Sequence, residues 1–480
     1  MSGGDAATLM VVGTCSSAGK STLVAALCRI FARRGLRVAP FKSQNMSLNS
    51  AVTPEGDEIG RSTYSQAEAA RTAPHVDMNP VLLKPEGERR SQVILSGRLH
   101  GRIDAAHWQS AKPEFWRAIQ QALARLRRRF DLVILEGAGS PAEINLPHDI
   151  ANLRVARHAG ARALLVGDID RGGVFASLAG TMLLLPPEER AAIGGFVINK
   201  MRGDVGLLGD GPEQLARHAF GVPTLGVLPF LPELGLPEED SLGLDSLPHG
   251  GPAGDGELDL AVTRLPRLSN FDDFDALAAE PGVRVRTVSR AGHLLDHPAP
   301  AALFLPGSKN TLADLEWLRA SGLADAALEL ANRPEPTAVI GLCGGYQMLG
   351  ESLEDPGHES ARAARAEGLG LLPLATRFAA RKTTRQVRGR WRSGLPGSLG
   401  ALGELEVEGY EIHLGETQLG EPRGGETRGG RAILSLGADR HPDGCCDPRG
   451  AVWGTYVHGL FTRDAFRHAF LRGLGWRESG

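Results

Sequence analysis

The chain has 480 residues, 42% hydrophobic and 23% charged, with a formal net charge of −3. That composition excludes a wholly disordered chain, and the 62 glycines follow no three-residue period, which excludes a collagen. No basic surplus points to nucleic acid, and no apolar run approaches the roughly 18 residues that cross a membrane. The five cysteines (Cys15, Cys28, Cys343, Cys445, Cys446) are odd in number and irregularly spaced. They do not read as a disulfide framework, so a reducing cytoplasm is the expected setting. His441 with Cys445-Cys446 lacks zinc-ligand spacing, and no bound zinc is expected.

From the N-terminus, Leu9-Met10-Val11-Val12 reads as a buried strand, followed by a glycine-containing loop and a helix from about Lys20 to Arg34. Gly35 ends that helix, and Arg37–Phe41 is the next strand. Further strands are expected at Asp131–Leu135, Ala163–Val166, Gly195–Ile198 and Thr224–Leu228. Short continuous apolar runs alternating with helices predict a parallel sheet covered on both faces, the doubly wound architecture. Residues 234–258, rich in Pro, Gly, Asp and Glu, read as a linker. A second alternating region begins at Leu258–Val262, with strands at Ala301–Leu305 and Ala338–Leu342. The polar stretch 355–400 is expected to form loops and short strands. The expected organisation is two doubly wound α/β domains, 1–233 and 259–480, joined by that linker.

Two loops carry chemistry. Gly13-Thr14-Cys15-Ser16-Ser17-Ala18-Gly19-Lys20-Ser21 lies between a strand and a helix, the setting of a phosphate-binding P-loop. Gly13, Thr14 and Gly19 would turn backbone N–H groups onto phosphate, Lys20 would add a full positive charge, and the Ser21 hydroxyl would ligate Mg²⁺. Five residues separate the glycines, one more than the common spacing. Glu136 and Asp168 each end an apolar strand, where a metal-binding carboxylate belongs, and Asn199 is placed to read the nucleotide base. In the second half, Gly341-Leu342-Cys343-Gly344-Gly345 follows a strand, as a thiol nucleophile elbow does. The Gly344 N–H and a second donor from Pro306-Gly307-Ser308 would stabilise an oxyanion. His458, after the apolar run ending at Val457, is the candidate base for Cys343.

Longer segments carry a resemblance. They include Pro40–Ser50, Glu58–Arg61, His75–Pro85, Glu136–Asn145 and Asp168–Ala176 in the first half, and Leu305–Thr311, Gly341–Gly345, Gly409-Tyr410-Glu411-Ile412-His413 and Trp453–Phe461 in the second. Together they resemble the glutamine-hydrolysing cobyric acid synthases, with a dethiobiotin-synthetase-like P-loop domain fused to a class I glutamine amidotransferase domain. That resemblance implies ATP, Mg²⁺ and glutamine as reactants and adenosylcobyrinic acid a,c-diamide as acceptor. Four of the acceptor's carboxylates would become amides through acyl phosphates, with no protein-bound cobalt. Lys42, Gln44, Asn45, Asn49 and Lys84 are the implied acceptor contacts. A homo-oligomer is compatible with the sequence. Ser17 stands where the family usually has Asp, and Leu460 stands where many class I amidotransferases have the glutamate that orients the histidine, so that partner is left open. A cobyrinic acid a,c-diamide synthase, or another P-loop amidoligase with a glutaminase, would share both loops. A partition-type ATPase would share the first and has no use for the second.

Overall fold

The computed structural model describes residues 5–86, 90–104, 106–145, 149–232, 234–236, 247–251, 254, 256–357, 359, 364–419 and 430–477. It forms two compact units, Met1–Ser47 with Asp57–Pro237, and Leu48–Gly56 with Glu238–Gly480. The stretch 234–258, read as a linker, falls partly outside the described residues. Segment 48–56 groups with the second unit, although it lies inside the 1–233 stretch.

The first unit is built on six strands: β1 (Ala7–Gly13), β2 (Val38–Lys42), β3 (Leu132–Glu136), β4 (Arg162–Asp168), β5 (Ile193–Met201) and β6 (Thr224–Pro229). Their order is β6-β5-β4-β1-β3-β2, and every neighbouring pair is parallel. The continuous apolar runs follow from burial of both faces. Met10, Val12, Phe41, Val133, Leu135 and Leu165 enter the core on one face, and Val11, Val38, Ile134, Val166 and Val197 enter the core on the other. The period-2 alternation of strand side chains splits the runs in this way. Helix α1 (Lys20–Arg33) follows β1, and Gly35, with φ +85, closes it. A separate four-stranded sheet joins Gln44–Met46, Val81–Pro85, Arg90–Leu95 and Arg98–Asp104.

The second unit repeats the parallel design with β7 (Leu258–Thr263), β8 (Val283–Val288), β9 (Ala302–Leu305) and β10 (Ala338–Leu342). After β11 (Leu374–Trp391) and β12 (Glu406–Leu419), the chain returns to it through β13 (Cys445–Cys446) and β14 (Val452–Thr455). The order is β8-β7-β9-β10-β14-β13, parallel except for the last pair. Short strands were the expectation for 355–400, but β11 runs for 18 residues and pairs antiparallel with β12. Its apolar positions are sparse because one face is wet. Leu374, Thr376 and Phe378 are buried while Ala375 and Arg377 are exposed, and arginines fill much of the remainder.

Trp391, at the end of β11, is fully buried, with its ring centroid 5.4 Å from that of Trp453 and 5.3 Å from that of Phe466. Its Nε1 donates to the Leu399 carbonyl at 3.1 Å. Trp391→Ala opens a cavity and strips that carbonyl of its partner. It is expected to lower the unfolding free energy of the second unit by about 3–5 kcal/mol, measured by urea titration.

Candidate active sites

Parallel strands present their carboxyl ends on one edge of the sheet, and ligands bind there. In the first unit β1 ends at Gly13, β2 at Lys42, β3 at Glu136 and β4 at Asp168, while Asn199 and Lys200 lie near the end of β5. The sheet therefore gathers residues that are far apart in sequence. Glu136 is the hub. Its Oε1 accepts from Ser21 Oγ at 2.7 Å and from Lys42 Nζ at 3.0 Å, and its Oε2 accepts from Gln66 Nε2 at 2.5 Å. Burial works to raise the pKa of this carboxyl, but the Lys42 ammonium, with the Gln66 and Ser21 hydrogen bonds, holds it below the usual carboxylate range. Lys20 Nζ donates to the Cys15 carbonyl inside the loop, at 2.8 Å, and to the Gly139 carbonyl just beyond β3, at 3.0 Å.

The rest of the loop is held from β5. Asn199 Nδ2 donates to the Ala18 carbonyl at 2.9 Å, and a Cβ on Gly19, whose φ is +98, would lie 2.0 Å from that same nitrogen. Lys200 bridges the Ser17 carbonyl and Asp168, each at 2.8 Å. Ser17 itself has φ 59. Asp168, expected as a metal ligand, is thus engaged by a cation, and its Oδ1 also accepts the Asp170 N–H at 2.9 Å. Ser21 bonds to Glu136 instead. Asn199, expected at the nucleotide base, braces the loop.

The five expected acceptor contacts separate. Lys42 joins Glu136. Gln44 and Asn45 lie on a short strand paired with Val81-Leu82, next to Lys84, which bonds to Glu58 Oε1 at 2.8 Å. Asn49 belongs to the second unit. Gln66, on helix α2 (Arg61–Ala69), had no motif to mark it.

In the second unit Gly307, Cys343 and His458 follow β9, β10 and β14, three adjacent strands. Cys343 has φ 49 and ψ −104, a left-handed conformation that a non-glycine residue holds only under strain, as in a nucleophile elbow. The turn is tight enough that a Cβ on Gly345 would meet the Leu305 carbonyl oxygen at 1.8 Å, and one on Gly344 would meet the Ser308 nitrogen at 2.8 Å. Gly344 and the Gly307-Ser308 backbone are therefore close enough to serve one oxyanion.

His458 is fully buried, and sequence reasoning found no orienting partner for it. The structure supplies Asp273. Its Oδ2 lies 2.7 Å from His458 Nδ1, and its Oδ1 accepts the Gly459 N–H at 2.7 Å. Burial pushes the imidazole pKa down. The Asp273 charge and hydrogen bond, with a hydrogen bond to Cys343, outweigh it and lift the pKa to about 10. The arrangement sets the His458 ring between the Asp273 carboxylate and the Cys343 sulfur. Asp273 is 185 residues from His458, and nothing local distinguishes it from Asp272.

The Gly409–His413 segment lies against the same site. Tyr410 and His458 exchange backbone hydrogen bonds of 3.1 and 2.9 Å, and the Tyr410 ring stacks on the imidazole. The Ile412 carbonyl accepts from Cys343 Sγ at 3.8 Å.

A family model described as a CobQ/CobB/MinD/ParA nucleotide binding domain matches residues 9–242, and one described as a CobB/CobQ-like glutamine amidotransferase domain matches residues 259–466. A cobyric acid synthase of Sorangium cellulosum (strain So ce56) is 52% identical, covering 98% of this chain and 91% of that protein. Those of Chloroflexus aggregans (49% identical, 99% and 93% covered) and Desulforudis audaxviator (52% identical, 97% and 90% covered) are similar. A nucleotide-binding unit and a glutamine amidotransferase unit, matched together at such identity over nearly the whole length, show that the chain belongs to the cobyric acid synthase family and is a glutamine-hydrolysing ligase.

Proposed function

We propose that the chain converts four peripheral carboxylates of adenosylcobyrinic acid a,c-diamide to amides, using ATP and glutamine. The observation that carries this reading is the buried Cys343–His458–Asp273 array in the same chain as the Lys20–Ser21–Glu136 phosphate loop. A thiol that frees nitrogen and a loop that handles phosphate need a common product, and an amide made from a carboxylate satisfies both. A partition-type ATPase leaves the first array without a role.

At the thiol site, the Cys343 sulfur, its proton already held by His458, attacks as the thiolate on the side-chain amide carbon of glutamine. The negative oxygen that forms faces the Gly344 N–H and the Gly307 turn. His458 gives its proton to the departing nitrogen, which leaves as NH₃, and a thioester remains on Cys343. The now neutral imidazole takes a proton from water as the water attacks the thioester, releasing glutamate and restoring the Cys343 thiolate beside the His458 imidazolium.

At the phosphate loop, Lys20 and the backbone of residues 13–19 bind the ATP phosphates. An acceptor carboxylate oxygen attacks the γ-phosphorus and ADP leaves, giving an acyl phosphate. Ammonia then adds to the acyl carbon and expels phosphate. Lys42, at the end of β2, would neutralise the acceptor carboxylate. Ser21 Oγ and Glu136, 2.7 Å apart, are hard oxygen donors that suit Mg²⁺ and would hold it. Bound there, the ion would withdraw charge from the transferred phosphate.

Cys343→Ala is expected to abolish glutamine-dependent synthesis and to retain synthesis with ammonium salts. Mass spectrometry of the corrin product should show successive acid-to-amide steps ending at four. Glutamine-dependent synthesis that persists in Cys343→Ala, or a product that stops at two amides or changes elsewhere, would refute the reading.

The imidazolium yields a pH prediction. His458 keeps its proton up to about pH 10, so glutamine hydrolysis should fall as pH rises through that value. Asp273→Asn removes the charge that raises the pKa and leaves the burial that lowers it. The alkaline limb should then move down by roughly 1–3 pH units, and kcat should drop by roughly 10²-fold or more. Glutaminase pH profiles of the two proteins measure both effects.

A further inference from the structure

Segment Leu48–Gly56 groups with the second unit, and Asn49 and Ser50 bond there to the corner that carries Asp273. Asn49 is fully buried. Its Oδ1 accepts the Asn270 N–H at 2.8 Å, and Asn270 Oδ1 accepts the Ser50 N–H at 3.2 Å. This is a reciprocal clamp on one residue. Asn270 has φ 54 and ψ 47, a left-handed conformation that asparagine tolerates better than most residues but holds at a cost. It begins the single turn Phe271–Phe274, and its carbonyl accepts the Asp273 N–H at 3.3 Å. Fixing Asn270 therefore fixes the direction in which Asp273 leaves the turn.

The same segment touches the other wall of the thiol site. Val52 packs with Tyr410, whose ring stacks on His458, and with Ile412, whose carbonyl faces Cys343 Sγ. The Val52 carbonyl accepts from Gln386, and the Gly56 carbonyl accepts from Thr384 Oγ1 at 2.9 Å. In sequence, Asn49 lies seven residues after Lys42, and Ser47 and Asp57 continue the chain into the first unit.

We propose that Asn49 is a positioning residue for glutamine hydrolysis, which acts through Asn270 to hold Asp273 against His458. The proposal rests on the reading of Cys343 and His458 as the glutaminase pair. The stretch that supplies Lys42 to Glu136 thus also supplies a support for the histidine that releases nitrogen.

The test uses the full-length chain and compares amidation supported by glutamine with amidation supported by ammonium chloride. Asn49→Ala is expected to lower the ratio of the two rates about tenfold or more. Its glutaminase alkaline limb should shift in the same direction as that of Asp273→Asn. The double variant should be no worse than Asp273→Asn alone, because both act through one carboxylate. Asn270→Gly, which adopts the left-handed corner freely, should retain more glutaminase than Asn270→Ala, and this pair keeps the test decisive if Asn49→Ala folds poorly. An unchanged ratio, an equal fall of both rates, full additivity with Asp273→Asn, or equal loss in the two Asn270 variants overturns the proposal. Cys343→Ala, assayed alongside, separates the failures. If it keeps glutamine-dependent synthesis, the glutaminase reading itself falls. If it loses that synthesis while Asn49→Ala keeps its ratio, only the role of Asn49 falls.

Discussion

An imidazolium buried from water is tolerable only against a buried carboxylate with its own lone pairs satisfied, because an isolated charge in such a place would lose its proton. Asp273 meets that requirement with both oxygens, one on His458 Nδ1 and one on the Gly459 N–H. Much of the local structure follows from this contact. Gly459 takes φ +76, which brings its N–H round to the carboxylate. Tyr410 holds the His458 backbone from the other side, and Gly409 has to lack a Cβ because one would lie 2.1 Å from the His458 carbonyl oxygen.

The first unit solves the same problem with the opposite sign. Glu136 is a buried carboxylate, and it keeps its charge because Lys42, Ser21 and Gln66 together satisfy both of its oxygens. Removing one partner of such a group leaves a charge without compensation, which costs more than the intact cluster contributes. Ser21 and Lys42 reach Glu136 because helix α1 starts at the end of β1, because β2 and β3 are hydrogen-bonded neighbours, and because Lys42 and Glu136 share one register position. The parallel sheet acts here as an alignment device.

This alignment explains which residues were readable in the sequence. Gly13, Lys20, Glu136, Gly307, Cys343 and His458 all sit at or just beyond the ends of short apolar runs, where strand prediction and chemistry point to the same place. Asp273 and Gln66 do not. Asp273 sits in a single turn 185 residues from its partner, and Gln66 sits on the buried polar face of a helix. Asn49 was legible as part of a motif, but its partner Asn270 is 221 residues away and gives no local signal. Strand β11 was missed because half-wet antiparallel strands have no continuous apolar run, unlike those of the two parallel sheets.

The absence of a glutamate at position 460 follows from the same geometry. Leu460 is 1% exposed and packs in an apolar cluster with Phe304, Phe461 and Trp453, so a carboxylate there would be buried among apolar side chains. The acid arrives instead from the segment after β7, on the far side of β9 and β10 from β14. To reach His458 it has to pass over the turn that follows β9. At Gly307 a Cβ would lie 2.8 Å from the Ser269 carbonyl oxygen and 3.2 Å from His458 Cε1. Only a glycine leaves room for the acid-bearing segment and the imidazole to close over that turn. Gly307 is thereby the gap through which the Asp273 carboxylate and the His458 imidazole meet.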